Sequence, residues 1–579
     1  MDLHRVHLQL DKACCRVTAI GLLPIQDYLR RLSHRYGTGQ LSGGIILNGS
    51  RSFVRGAMLL AGAAMFSKFL GSVYTIVLQN IIGDHGMGLF QMAYPIYATL
   101  LAVATAGFPV AISKLVAEEL AHDNICAARH VLRVSAWLLS LGGVFAFLVL
   151  YLFAPEWAVL AGDPQSVTAI RAISPALLVV PLLSAVRGYF QGYQWMEPTA
   201  FSQVLEQFVR VATIIGLSIY FVNVGASERV SAAGAAFGAV TGALAGCLTI
   251  FFYWRRRHEQ IPVDTQRGVI QRGAVTKKLI YYAFPISIGA LVVPLLHNVD
   301  VITVVNLLKR VGEGQNLATT QFGLLSGRAF KLVTLPTTLA AGIGVAVMPA
   351  ISDAFTRGYR DLLVNRVDMA LRLTVLFALP ATLGLLVVAK PMNVALFTDA
   401  KGTGAIQVLA LSILFASLQT TTAAVLQGAG WIYRPIVYML VSCVVKLVAN
   451  FIFVPRFGIA GAALATVLSY FVAAALNLLA VRRLFGALDL GRWFYRPMLA
   501  TTVMSGAVFA LARQWDKFGG EALGRLPAVG AVMLILSVGV IVYIFAILVS
   551  GSLSEEELMS VPHIGPFLAR VCRRFFAKH

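Results

Sequence analysis

The chain has 579 residues, of which 58% are hydrophobic and only 13% charged. A soluble domain carries about 25% charged residues to cover its surface, so the composition excludes an ordinary soluble protein. The formal net charge of +21 would suit nucleic acid, but Arg and Lys cluster in alternate connections between apolar stretches. That is the positive-inside pattern that orients membrane helices and meets anionic lipid, and it excludes a nucleic-acid role.

Residues 1–52 are mixed and basic, without a long apolar core, and read as a cytoplasmic extension or as the product of a start site placed too far upstream. Apolar stretches long enough to cross a bilayer core as helices come next, at about 53–80, 88–117, 130–154, 167–188, 198–222, 230–254, 278–306, 322–350, 366–388, 404–427, 434–454, 459–481, 496–514 and 526–549. The expected fold is therefore an all-α polytopic membrane protein of about fourteen transmembrane helices. The largest basic run, Arg255, Arg256, Arg257, Arg267, Arg272, Lys277 and Lys278, fills a cytoplasmic linker at 255–277. Arg187, Arg357, Arg360, Arg434, Arg482 and Arg483 mark further inner loops, and a basic tail covers 551–579. Outer loops are short and lean to Asp84, Glu156, Asp163, Glu228, Asp399 and Asp516, though Lys309, Arg310 and Arg456 sit there too. Both ends thus lie on the cytoplasmic side of a cell membrane.

The chain repeats itself. Gln191-Gly192-Tyr193-Gln194-Trp195 returns as Gln427-Gly428-Ala429-Gly430-Trp431, and Pro109-Val110-Ala111-Ile112-Ser113 returns as Pro349-Ala350-Ile351-Ser352. Gly234-Ala235-Ala236 returns as Gly461-Ala462-Ala463. The offsets put corresponding motifs on corresponding helices of a six-helix unit, so 53–254 and 278–482 read as two lobes of like orientation around a central cavity. Residues 496–550 add two C-terminal helices. Gly107 and Pro109 in one lobe and Pro336, Gly344 and Pro349 in the other predict kinks suited to a gate.

A charge at the bilayer centre is costly, so those present point to function or to a partner. Lys68 sits midway along the first span and Lys331 deep in the eighth, with Arg328 one turn earlier, where it either joins Lys331 or reaches the outer interface. Glu206 and Arg210, four apart, have the spacing of an ion pair within one helix, which makes a structural role the simpler reading. Lys446 occupies the repeat-equivalent place of Arg210 without the acid. His297, Asn298 and Asp300 form a polar cluster in which Asp300 can bind a cation, offset a lysine or carry a proton. The six cysteines show no metal-ligand spacing, and neither a nucleotide-binding glycine loop nor an HExxH motif is present, so no metal, catalytic site or cofactor is expected.

Ser67-Lys68-Phe69-Leu70-Gly71, Gly83-Asp84-His85-Gly86-Met87-Gly88-Leu89-Phe90-Gln91-Met92-Ala93-Tyr94-Pro95, Gly107-Phe108-Pro109-Val110-Ala111-Ile112-Ser113-Lys114-Leu115 and Arg187-Gly188-Tyr189-Phe190-Gln191-Gly192 resemble the polysaccharide flippases of Gram-positive bacteria. These belong to the multidrug/oligosaccharidyl-lipid/polysaccharide superfamily, and the nearest groups are MurJ-type lipid II flippases and stage V sporulation protein B-like proteins. The resemblance covers about residues 52–550 and implies that Lys68 and Lys331 face a lipid pyrophosphate, with Arg328 and Gln91 as further substrate contacts. It also implies a sodium site on Asp300, Asn450 and Thr466, although a second acid expected in span 11 is missing and Tyr74-Thr75 replaces an Arg-Asp pair. Spans 13 and 14 are implied to guide a polyprenyl tail.

The expectation is a flippase that moves an undecaprenyl-pyrophosphate-linked sugar, lipid II or a related cell-wall, spore or capsule intermediate, to the outer leaflet of the bacterial cytoplasmic membrane. Sodium or the membrane potential would supply coupling, and the cell-wall synthesis machinery would be the protein partner. The rival readings are a multidrug/cation antiporter of the same superfamily, which needs acidic cavity residues, and a membrane polysaccharide polymerase or ligase, which needs a large outer loop.

Overall fold

The structure, a computed structural model, describes residues 43–257, 272–486 and 490–550. The chain divides at Met58 into a short unit and a body, Leu59–His579, that holds nearly all of the described helical structure. Most of the expected N-terminal extension, the middle of the basic linker and the basic tail lie outside the described residues. Among the described residues all regular structure is helical, as the composition leads one to expect.

Among the described residues, eleven helices are long and apolar enough to cross a membrane. Two of these are each a pair of helices joined end to end at one glycine. In α1 (Gly43–Thr105) the break is Gly83, at φ 74° and ψ 175°, where spans 1 and 2 were expected to part. In α15 (Tyr433–Phe485) it is Gly458, at φ 57° and ψ −138°, between the expected spans 11 and 12. A side chain at either position would be strained, whereas glycine adopts such angles freely. The other helices of the first half are α2 (Phe108–Ala121), α3 (Ile125–Leu152), α4 (Ala154–Ala161), α5 (Val167–Ile173), α6 (Ala176–Gly192), α7 (Met196–Asn223) and α8 (Glu228–Arg257). The second half runs through α9 (Arg272–Arg310), α10 (Gln315–Gly323), a π turn at Leu324–Ala329, α11 (Phe330–Thr356), α12 (Arg360–Phe397), α13 (Thr403–Ala410), α14 (Ser412–Gly428) and α15. The last two, α16 (Leu490–Lys517) and α17 (Arg525–Ser550), pack on each other and on α12. The arginine-bearing α16, 28 residues long, is not among the eleven, so fourteen membrane crossings stays an expectation.

The repeated motifs meet each other in the same way in both halves. Gly192, at the end of α6, lies against Val116 and the Ser113 carbonyl of α2; Gly428, at the end of α14, lies against the Met348 carbonyl and Ile351 of α11. A Cβ at either glycine would push the helices apart. Both helices then end on the same backbone bond, from the Trp195 N–H to the Phe190 carbonyl and from the Trp431 N–H to the Leu426 carbonyl. This bond needs a left-handed residue just before the tryptophan. That residue is Gly430, φ 85°, in one half and Gln194, φ 60°, in the other.

The kinks are less symmetric than the sequence suggests. The first half breaks after Thr105, where Gly107 abuts the Ala283 carbonyl of α9 and its N–H donates to Ser287 Oγ at 3.0 Å. In the second half Pro336 and Pro349 lie within unbroken α11, and the irregular turn comes earlier, at Leu324–Ala329. A π turn widens the helix by one residue and re-aims the side chains beyond it, here Phe330 and Lys331.

Candidate functional site

Where the two halves face each other, a cavity of about 260 Å³ is lined by Gln91, Tyr94, His297, Asp300, Phe330 and Lys331 among others. α1 supplies Gln91 and Tyr94, α9 supplies His297 and Asp300, and α11 supplies Phe330 and Lys331. Gln91 Nε2 donates to the Ser326 carbonyl at 3.2 Å, tying one half to the π turn of the other. His297 packs edge-on against Phe330, ring centroids 5.1 Å apart.

Asp300 is not free to act as a cavity acid. Lys446 Nζ donates to its Oδ2 at 2.6 Å and to the Leu296 carbonyl at 3.0 Å, and both partners of the ion pair are buried. Asn450 Nδ2 donates to Asp300 Oδ1 at 3.0 Å and to Thr303 Oγ1 at 2.8 Å. Of the expected sodium ligands, Asp300 and Asn450 therefore do meet, but an ammonium holds the carboxylate. The buried Thr466 hydroxyl donates to the Ala462 carbonyl of its own helix. Lys446 is thus the partner of Asp300 rather than an isolated cation. Asn298 points away from the group and donates to Thr99 Oγ1 and the Pro95 carbonyl of α1.

With Asp300 and Lys446 cancelling, the charge the cavity presents is that of Lys331. No carboxylate pairs with it among the described residues. Lys68, its expected companion, is exposed and does not line this cavity. It sits one turn before Gly71, which faces Gln207 of α7, on a stretch where Met65 and Phe69 are exposed as well.

Arg328 is the clearest departure from expectation. It does not line the cavity but is buried in a clamp, with Nε and Nη2 on Asp84 at 3.0 and 2.7 Å and Nη1 on Asp399 at 2.5 Å. Asn393 accepts a further bond from Nη1 at 3.3 Å, and the guanidinium lies over the Phe397 ring. The π turn directs Arg328 and Lys331 to different places, which one-turn spacing in an ordinary helix does not anticipate. Asp84 directly follows the Gly83 break of the first half, whereas Arg328 and Asp399 belong to the second. Burial works against ionisation of Asp399. The hydrogen bonds from Arg328 and the Lys401 N–H nonetheless hold its carboxyl below the ordinary value. Around the clamp the halves touch closely: Gly323 abuts the Asp84 carbonyl, Gly88 abuts Thr319, and Thr319 donates to the buried Asp163 at 2.6 Å. The charge pattern assigns this face to the outside, so the cavity is shut on that side.

A second charged group lies within the first half. Glu206 accepts from Arg210 at 2.6 Å, as its spacing predicts, and also from Arg187 at 2.8 Å. Arg187, expected in a cytoplasmic loop, is inside the bundle because α6 runs on to Gly192. This cluster reads as structural.

An apolar groove of about 520 Å³ runs on the opposite side of α11 from the cavity. Leu332, Leu335 and Pro336 of α11 face it, with Ile76 of α1, Gly384 of α12, Met504 of α16 and Tyr543 of α17. One helix therefore separates a polar chamber bearing Lys331 from a channel of almost pure hydrocarbon.

These features define a class, a polytopic membrane transporter built of two facing helical halves. The family model described as polysaccharide biosynthesis protein matches residues 53–355, and one described as MatE matches 285–452. The chain belongs to the polysaccharide biosynthesis protein family. It is 36% identical to the uncharacterized membrane protein YabM of Bacillus subtilis, over 90% of this chain and 96% of that one. It is 29% identical to the lipid II flippase MurJ of the same bacterium, over 86% and 95%, and 28% identical to its stage V sporulation protein B, over 90% and 99%. Among solved structures, a lipid II flippase MurJ in an inward closed conformation superposes with a TM-score of 0.61 at 14% identity, covering 84% of this chain and 98% of that one. That likeness concerns the fold.

Proposed function

We propose that this transporter carries a lipid with an anionic headgroup, an undecaprenyl-pyrophosphate-linked sugar such as lipid II or a related polysaccharide intermediate, from the inner to the outer leaflet by alternating access. The observation that carries the reading is the two-faced character of α11: Lys331 in a polar cavity on one side, and an apolar groove beside α16 and α17 on the other. A lipid-linked sugar needs both at once, because a phosphate is costly in hydrocarbon and a polyprenyl chain is costly in water. A cation antiporter is less well served, since the one cavity carboxylate, Asp300, already holds an ammonium.

The inside-negative membrane potential suffices as the driving force. It favours outward movement of negative charge by about 2.3 kcal/mol per charge per 100 mV, so a doubly charged pyrophosphate gains roughly 4–5 kcal/mol. The test is rescue of a strain depleted of its lipid II flippase, with the lipid-linked precursor measured on each leaflet. Rescue with clearing of the inner leaflet is expected, and collapse of the potential should restore the inner-leaflet pool. A chain that is inserted at normal levels and rescues neither lipid II export nor that of another undecaprenyl-linked sugar overturns the proposal.

A further inference from the structure

Lys446 and Asp300 form a buried ion pair beside the cavity, and the surroundings of the ammonium are those of a metal cation rather than of an ordinary surface lysine. Its Nζ lies 2.6 Å from a carboxylate oxygen and 3.0 Å from the Leu296 carbonyl, with the Phe330 ring centroid 5.4 Å away. Within the same group, Thr303 Oγ1 accepts from Asn450, while Asn450 Oδ1 is buried without a hydrogen-bond partner. An oxygen-rich cluster of carboxylate, carbonyl, amide and hydroxyl around a single positive charge suits a hard monovalent cation. The side chain arrives along α15 with the helical spacing that puts Lys446 and Asn450 on one face; Leu296, Asp300 and Thr303 share the facing side of α9.

We infer that Lys446 is a tethered cation: its ammonium permanently fills an intramembrane monovalent-cation site between α9 and α15, and removing it uncovers a site that sodium can take. A charge carried by the chain itself neither dissociates nor depends on the ion composition of either compartment. The second half of the wild-type protein is therefore indifferent to sodium, whereas a variant lacking the ammonium becomes sodium-responsive. A carboxylate left alone in that place is strongly disfavoured, which supplies the drive for a small cation to enter. The inference concerns this cluster alone and does not depend on the cargo.

The experiment is thermal unfolding of the purified full-length protein in detergent, in sodium chloride or choline chloride at equal ionic strength. The wild type is expected to unfold at the same temperature in both. Lys446→Ala is expected to unfold roughly 5 °C or more lower in choline, because it strands a buried charge, and to recover most of that loss saturably as sodium replaces choline. Asp300→Asn in the Lys446→Ala background should abolish the sodium response, since the neutral amide neither needs nor attracts the ion. Lys446→Ser serves in place of the alanine variant if that one fails to insert. An unfolding temperature of the lysine-less variants that is the same in sodium and choline overturns the proposal. So does a saturable, sodium-specific stabilisation of the wild type, which is measurable whatever becomes of the variants.

Discussion

Arg328 and Asp84 are 244 positions apart, yet their side chains meet at 2.7 Å across the boundary between the two halves of the transporter. Asp399 completes the clamp from the other side of the guanidinium. Opening toward the outside must part Arg328 from Asp84, because the two belong to different halves. For a partly buried bidentate pair the cost is about 2–4 kcal/mol, between the values for exposed and for buried pairs. Arg328→Ala should therefore shift the population toward outward opening. A cysteine placed at Ser326, in the cavity wall, in a background without the natural cysteines, should then react faster with an impermeant thiol reagent from outside. Arg328→Lys should fall between, since one ammonium cannot bridge both carboxylates as a guanidinium does. Unchanged labelling in Arg328→Ala removes the clamp from the gate.

The clamp has a defined pH dependence. The Asp399 carboxyl is held below its unperturbed value of 3.8 by Arg328 and the Lys401 N–H, despite partial burial. A depressed carboxylate contributes its stabilisation fully above the unperturbed value and loses it as pH falls through the lower, folded-state value. Labelling of the Ser326 cysteine, expressed relative to an exposed reference cysteine because the thiolate fraction itself falls with pH, should accordingly be flat from neutral pH down to about the unperturbed value and rise only in stronger acid. Asp399→Asn should show the acid behaviour already at neutral pH.

Lys331 is the cavity's uncancelled charge, so Lys331→Ala should abolish rescue of a flippase-depleted strain while the protein remains inserted at normal levels. Lys331→Arg should keep part of the activity, because the charge persists while the donor geometry changes. Lys68 lies outside the cavity in this closed form, and Lys68→Ala should weaken transport only if the headgroup passes it on entry. Rescue at wild-type rates by both alanine variants, and by the double variant, contradicts an anionic cargo.

Gly384 faces the apolar groove with ordinary room around it, the nearest side-chain atom to a built Cβ being Met504 Cε at 3.8 Å. Gly384→Phe should plug the channel and reduce transport of a long-chain lipid substrate several-fold, with little effect on a substrate analogue bearing a short chain. Equal loss for the two chain lengths argues against a tail in the groove.

Side assignment is open to direct measurement as well. Asp163 is unsuited to surface labelling, being buried against Thr319. Cysteines at the exposed Phe518 and Tyr359 are better placed, and they fall in loops of opposite assigned side. The first should react from outside intact cells and the second only after permeabilisation.

The helices and the internal repeat were legible in the sequence because each arises from local order: apolar length gives the spans, and paired glycine motifs give the duplicate contacts of Gly192 and Gly428. The Glu206–Arg210 pair was legible for the same reason, being one helical turn long. What escaped were partners distant in sequence. Nothing near Arg328 names Asp84 or Asp399, and an arginine one turn from Lys331 looks like a second cavity cation until the π turn is seen. Lys446 was recognised as odd for lacking its repeat-equivalent acid, but the acid comes from α9, 146 positions away. Its spacing from Asn450, on the face turned to the polar stripe of α9, was the available signal.

Because α11 is a party wall, with the polar chamber on one side and the apolar channel on the other, the two spaces share a boundary and cannot be resized independently. A tilt that gives the chamber room takes it from the channel, and the reverse tilt returns it. Head and tail of a bound lipid would press on opposite sides of the same lever. A cargo lacking either part would push from one side only, so, for the cargo proposed above, the wall itself would tell a whole lipid-linked sugar from a free sugar or a bare polyprenol.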